Sequence, residues 1–351
     1  MIKSIQAYRG FAALLVVAYH ANLIAGKYFE QTVVTKFFSF GHSGVPFFFV
    51  LSGFIIYYIH WSDIGRPFRA KQYLQKRIVR IYPIYWVVTL AVLPAYLLVP
   101  SFGSPYHREL LALIKSLLLI PQDHSPHLAV AWTLCHEMFF YLLFAVLIYK
   151  KILGQLFFVT WMLTTLAAVI ATNFGDGIIQ FPFTFLFSIY NLLFGLGLLA
   201  GWLNRKFPAK LERIRLPAFA LGNLLFLATG CMENYWTGKN DGSVALFGIA
   251  AFMLVISAGN NRVEKLFADK KLLQLFGNTS YSIYLIHFLS VSFLGKVFSQ
   301  TNLTNVLPDT ITWFLLIILA TISGILLYKF IERPSLDLAR RLIAAKPFVS
   351  R

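Results

Sequence analysis

The chain has 351 residues, 58% of them hydrophobic and only 13% charged, with a mean hydropathy of +0.69. Soluble domains average roughly 25% charged residues, so this balance excludes an ordinary soluble enzyme and indicates an integral membrane protein. The net charge of +17 does not indicate a nucleic-acid partner, because the basic residues sit in short runs between apolar segments, the pattern of cytoplasmic loops in a polytopic protein.

A spanning helix needs about 20 mostly apolar residues. Ten segments qualify: 8–27, 40–60, 81–100, 128–149, 154–172, 184–203, 217–232, 244–260, 277–298 and 310–330. The first lacks a clear small-x-small cleavage site and contains His20, so it is expected to be retained. The stretch HRELLALIKSLLLI, 107–120, is shorter and amphipathic, and predicts a surface helix. With the N-terminus in the cytoplasm, 25 of the 31 Lys and Arg residues fall on the inner side and 6 on the outer. This asymmetry predicts both termini inside. The expected fold is all-α and polytopic, with about ten transmembrane helices. One membrane domain covers 1–335 and a short basic cytoplasmic tail covers 336–351. Cys135 and Cys231 lie in apolar segments and imply no disulfide framework.

An ionisable group at the centre of a membrane helix costs ~2.5–3.5 kcal/mol on insertion scales, so such groups mark cavities or partners. His20 lies about 18 Å from the inner end of the first span, at 1.5 Å per residue. Glu137 lies about 14 Å from the outer end of the fourth, and His287 about 15 Å from the inner end of the ninth. Three titratable groups at one depth predict a polar cavity, although each alone also fits a structural hydrogen bond between helices. Arg9 precedes His20 by 11 positions and returns to nearly the same face, some 16 Å lower. It can snorkel to the interface or anchor an anion.

The run RPFRAKQYLQKRIVRIYPIYW, 66–86, sets Arg77 and Arg80 on one helix face. Guanidinium groups suit phosphate, though from spacing alone topology charge or lipid headgroups explain the run better. Tyr82, Tyr85 and Trp86 fit an interfacial belt. Ser52, in GVPFFFVLSGFII, has no adjacent base to make it a nucleophile. His124 and His127 fit a metal site only loosely, and the HExxH pattern fails because Phe140 stands where the second His belongs.

Several blocks, taken together, resemble the acyltransferase-3 family of integral-membrane O-acyltransferases. They are Arg9-Gly10 with His20, GVPFFFVLSGFII (44–56), RIVRIYPIYW (77–86), AWTLCHEMFFY (131–141), GNTSYSIYLIH (277–287) and IERP (331–334). The resemblance implies a bacterial inner-membrane enzyme. It would pass an acyl group, acetyl or another such as succinyl, from cytoplasmic acyl-CoA to a hydroxyl of a cell-surface or lipid-linked polysaccharide. It places the catalytic pair on Arg9 and His20 and donor binding on Arg77 and Arg80, with Tyr82 beside them. Trp132 and Glu137 fall in the W-[ST]-L-x-x-E block, Glu137 as a catalytic candidate. Trp132, His287 and Ser52 are the candidate substrate-binding residues. No metal is required. The expected partners are acyl-CoA, a glycan acceptor and membrane lipids. Some members carry a fused extracytoplasmic hydrolase-like domain that these 351 residues lack, which leaves open whether a separate partner completes the transfer. The rival classes are a proton-coupled transporter using the intramembrane His and Glu residues, and a membrane scaffold. No Gly/Pro-broken helices recur in two halves, which disfavours the transporter.

Overall fold

In hydrocarbon every backbone polar group must be paired within the chain, which leaves the helix as the open-chain solution. The computed structural model describes residues 2–28, 36–99, 102–172, 180–301 and 303–344, and among these no strand occurs. The end of the expected basic tail, 345–351, lies outside the described residues. In chain order the helices are α1 (Lys3–Tyr28), α2 (Gly44–His60), α3 (Pro67–Leu98), the short α4 (Leu110–Leu117), α5 (Trp132–Tyr149), α6 (Lys151–Ala171), α7 (Ile189–Lys206), α8 (Pro208–Met232), α9 (Asp241–Ser257), the short α10 (Asn261–Ala268), α11 (Lys271–Gln300), α12 (Asp309–Leu327) and α13 (Arg333–Ala344). Among the described residues nine helices are long and apolar enough to span a membrane, and α9 makes a tenth when taken with α10.

Two boundaries differ from expectation in ways that matter for function. The helix that carries the third expected span starts at Pro67, 14 residues before 81, so Arg77 and Arg80 lie inside α3. Their charge marks a helix wall facing a cavity, which a hydropathy window reads as the end of the span. The eighth span breaks at 258–260, where α10 departs from α9 at 96°. Gly259 takes a left-handed φ of 86°, and the Asn260 side chain caps α10 by accepting from Arg262 N and Val263 N. From α10, the Glu264 carboxylate accepts hydrogen bonds from Lys3 N at 2.8 Å and from the Ser4 hydroxyl. A carboxylate there satisfies the unpaired amides at the start of α1 and complements its dipole.

Small residues set the tightest helix pairs. A Cβ on Gly53 of α2 would overlap the Phe194 carbonyl of α7, and one on Gly197 of α7 would overlap the Val50 carbonyl of α2. Gly277 of α11 meets the Gln6 backbone of α1 in the same way. Such contacts let helix backbones approach where lipid offers no hydrophobic drive.

The 107–120 segment forms a helix, but it runs back along α3. His107 stacks on Tyr96 with ring centroids 4.1 Å apart. Further on, the Ser116, Leu117 and Leu118 carbonyls accept from Tyr85, Trp86 and Tyr82 at 2.6, 2.8 and 2.9 Å. The aromatic block of α3 therefore caps the C-terminal end of α4. The following loop is tied by His127. Its Nε2 donates to the His107 carbonyl at 3.1 Å, and its Nδ1 accepts from the Ser116 hydroxyl at 3.0 Å.

That arrangement needs a neutral ring, and burial holds the His127 imidazole below the ordinary histidine range. A histidine kept neutral by the fold contributes stability that is present above its unfolded pKa, about 6.5, and is lost as pH falls toward the lower folded value. The protection factors of the amides over 116–128, exchange rates taken relative to the intrinsic rate at each pH, are therefore expected to fall on acidification below about pH 6.5. In His127→Gln that pH dependence should vanish; the same pH response in the variant would assign it elsewhere.

Candidate active site

Helices α1, α2, α3, α5, α7, α11 and α13 line a cavity of about 420 Å³. Arg9, Arg77 and Arg80 line it, with the exposed Lys76 and Arg340 also on its wall. No carboxylate among the described residues comes within 4.0 Å of Arg9, Arg77 or Arg80. Arg77 Nη2 donates to His60 Nε2 at 2.9 Å, while its Nε is buried without a partner. His60 is in turn oriented by Asp63, 2.8 Å from Nδ1. The Arg77 guanidinium also lies 5.6 Å from the Tyr73 ring centroid and 5.7 Å from that of Tyr141. Arg9 has one long contact, to Gln6 Oε1 at 3.5 Å. Arg9 and Arg80 repel each other across the cavity, opposed by Glu332 and Glu137. The site thus gathers guanidinium charge with unused donors, which is the chemistry of an anion site.

Glu137 stands farther along the same cavity. It accepts from the Tyr141 hydroxyl and from Ser52 Oγ at 3.3 Å. Ser52 is therefore in the site as a carboxylate partner. Glu332 was not singled out as a site residue in the sequence, although it lies in the IERP block. It ends a π-helical turn, Tyr328–Glu332, is 3% exposed, and accepts from Ser282 Oγ at 2.5 Å. It faces Arg9 and Arg80, an acidic position that only the packing of α12 against α11 reveals.

His20 does not line this cavity. Phe48, Thr133 and Tyr284 are among the residues that line it. Tyr284 bridges to the histidines: its hydroxyl meets Thr133 Oγ1 at 2.8 Å and its carbonyl meets His287 Nδ1 at 2.6 Å. His287 Nε2 is 3.1 Å from His20 Nδ1, which is also 3.0 Å from the Val16 carbonyl. Carbonyl oxygens only accept, so both Nδ1 atoms carry protons. A neutral His287 then offers Nε2 as the acceptor for His20 Nδ1–H. The His20 ring is left with its lone pair on Nε2, in the form a general base or nucleophile requires.

His20 and His287 are thus brought together, as are Arg9, Arg77, Arg80, Glu137 and Ser52. The expected single cluster of His20, Glu137 and His287 is instead two, joined through Tyr284. Glu137 is not the group that orients His20; His287 is. Tyr82 lies outside the cavity lining and holds α4. Trp132 lies at a second cavity of about 290 Å³, lined by Gln122, His136 and Phe185 among others, and packs on Tyr190 and Phe49. Among the described residues no group of three His, Cys, Asp or Glu side chains is placed to hold a metal ion.

Comparison with known proteins agrees with this architecture. The model of an acyltransferase domain family, acyltransferase-3, matches residues 2–329. The chain is 29% identical over 320 residues to the exopolysaccharide production protein ExoZ of Rhizobium meliloti, covering 88% of this chain and 94% of that protein. It is 24% identical over 362 residues to the O-acetyltransferase OatA of Staphylococcus aureus, covering 95% of this chain but only 57% of the longer relative. No solved structure matches. With the family match running through the helices that carry both Arg9 and His20, the chain belongs to the acyltransferase-3 family of integral-membrane O-acyltransferases.

Proposed function

We propose that this enzyme acylates a polysaccharide, taking the acyl group, preferably acetyl, from acyl-CoA on the cytoplasmic side of a bacterial inner membrane. The acceptor is a hydroxyl of a cell-surface or lipid-linked glycan on the opposite side. The observation that carries the reading is the pairing of a cavity whose Arg9, Arg77 and Arg80 form no ion pair within 4.0 Å among the described residues with a histidine whose hydrogen bonds run through Nδ1 and leave Nε2 for the acceptor. Arg77, Arg80 and Arg9 suit the CoA phosphates by charge and by unused donors. The excess of Lys and Arg at the Arg77 end of the bundle supports a cytoplasmic opening there.

The donor supplies the acyl group as a thioester. His20 Nε2 takes the proton of the acceptor hydroxyl as its oxygen bonds to the acyl carbon, and returns that proton to the departing sulfur. His287 accepts from Nδ1 and keeps the ring oriented. Glu137, held by Ser52 and Tyr141, lies between arginines and histidines and fixes polar groups on the path. Tyr284 lines the cavity and meets His287 through its carbonyl, so passage of the acyl arm to His20 requires its ring to turn.

The test is to incubate the purified protein in lipid nanodiscs with acetyl-CoA labelled in the acetyl group and with de-acetylated bacterial polysaccharide. Alkali-labile label on the glycan is the expected result. Absence of label from every glycan, with solute flux independent of CoA, would return the protein to the transporter class.

A further inference from the structure

His20 has a second face, turned away from the arginine cavity, and the groups gathered there have no role in the mechanism above. The residues come from the helix ends on the side of the bundle opposite Arg9: Tyr19 from α1, His42 from the turn before α2, Trp132 at the start of α5, Tyr190 from α7, Glu233 at the end of α8, and Asp241 at the start of α9. The Tyr19 ring meets His20 edge-on at 5.0 Å and His42 at 5.4 Å. His42 Nε2 donates to Glu233 Oε1 at 2.6 Å. Glu233 is 6% exposed, and its other oxygen, Oε2, is buried with no hydrogen-bond partner. It opens a π-helical turn, Glu233–Thr237, a device that re-aims side chains and concentrates at functional sites. Glu233, Asp241 and Tyr19 all act electrostatically on Tyr190, whose ring packs 4.9 Å from that of Trp132. Tyr19, His20, Trp132, Tyr190 and Asp241 are each partly exposed.

We propose that this cluster is the acceptor subsite, and that Glu233 and Asp241 bind the hydroxyls of a neutral sugar beside His20. The inference rests on the acyl-transfer reading and gives its acceptor a location and a charge class. Sugar hydroxyls are donors, and carboxylate oxygens accept them in charge-assisted bonds. Glu233 Oε2 lacks the donor that a buried carboxylate oxygen requires, and a ligand hydroxyl supplies it. The rings of Tyr190 and Trp132 offer apolar surface to the C–H face of a pyranose, with polar tips for its oxygens. Two carboxylates, with Lys239 as the cation acting on Asp241, disfavour an anionic sugar at this position.

The experiment uses the full protein in nanodiscs, labelled acetyl-CoA, and methyl glucoside, methyl galactoside and methyl glucuronide as probes beside the polysaccharide. Transfer to a neutral glycoside should exceed transfer to the glucuronide. In Asp241→Asn and Glu233→Gln the KM for the neutral glycoside should rise about tenfold, the effect of losing one charge-assisted hydrogen bond, while the affinity for acetyl-CoA stays within about twofold. Retained donor affinity also shows that each variant is folded, and Asp241→Asn, at a partly exposed helix start, covers the case in which Glu233→Gln is not. An unchanged acceptor KM in the folded variants, a rise in donor KM instead, or a preference for the glucuronide would overturn the subsite alone. Wild-type protein that labels no carbohydrate would overturn the acyl-transfer reading beneath it.

Discussion

His20→Ala is expected to lower acyl transfer by about 10²–10⁴-fold, the usual worth of a positioned general base, with acyl-CoA binding unchanged. The expectation follows from proton positions. The Val16 carbonyl and His287 Nε2 both lie within 3.1 Å of His20 Nδ1, so the proton sits on Nδ1 and the base on Nε2. The donor-side arginines contact neither ring, so removing the imidazole leaves donor binding intact. His287 tests the same logic from the other side. His287→Gln keeps an acceptor oxygen for His20 Nδ1–H and should retain more activity than His287→Leu, and the pH profile of turnover should shift in the leucine variant. Transfer at the wild-type rate by His20→Ala, at equal protein level, would remove His20 from the chemistry.

The second large effect concerns the donor. Hydrogen bonds to charged groups are worth about 1.5–3 kcal/mol each, so removing Arg77 and Arg80 together should weaken acetyl-CoA binding by about 10²-fold or more. The two positions are not equivalent. Arg77 also holds His60 and rests on Tyr73 and Tyr141, so its loss disturbs the cavity wall. Arg80 makes no hydrogen bond among the described residues, and it repels Arg9. Arg80→Ala therefore removes a ligand group together with both the repulsion from Arg9 and the attraction to Glu332, which keeps Arg9 and its Ser282 hydrogen bond, and the protein should remain folded. Binding measured at two salt concentrations completes the test, because a phosphate contact weakens with added salt. Unchanged affinity in the double variant would return both arginines to setting topology or holding lipid headgroups.

Residue type and order alone carried a good part of this protein. The apolar stretches gave the helical architecture, nine spanning helices among the described residues and a tenth when the bent α9–α10 pair is taken as one. The spacing of Arg9 and His20 gave a cation and an imidazole on one face of α1. These features were legible because the bilayer imposes a single-helix rule: each span must be long, apolar and internally hydrogen-bonded, so composition over about 20 residues decides it. The N-terminal extension of α3 to Pro67 was not legible for the same reason, since hydropathy marks the apolar part of a helix and not its basic first turns.

What the tertiary structure decided is which polar groups meet. Tyr82 and Trp86, alike in sequence to an interfacial belt, proved to be donors to the end of α4. His287 orients His20, whereas Glu137, at similar expected depth, belongs to the arginine cavity with Ser52 and Tyr141. Glu332 and Glu233 are separated from their partners by 50 and 191 positions respectively, and each lies on a π-helical turn. Depth along one helix is set locally by rise per residue. Rotation and pairing between helices are set by small-residue contacts such as Gly53 with Gly197 and Gly10 with Gly277, which act between distant parts of the chain.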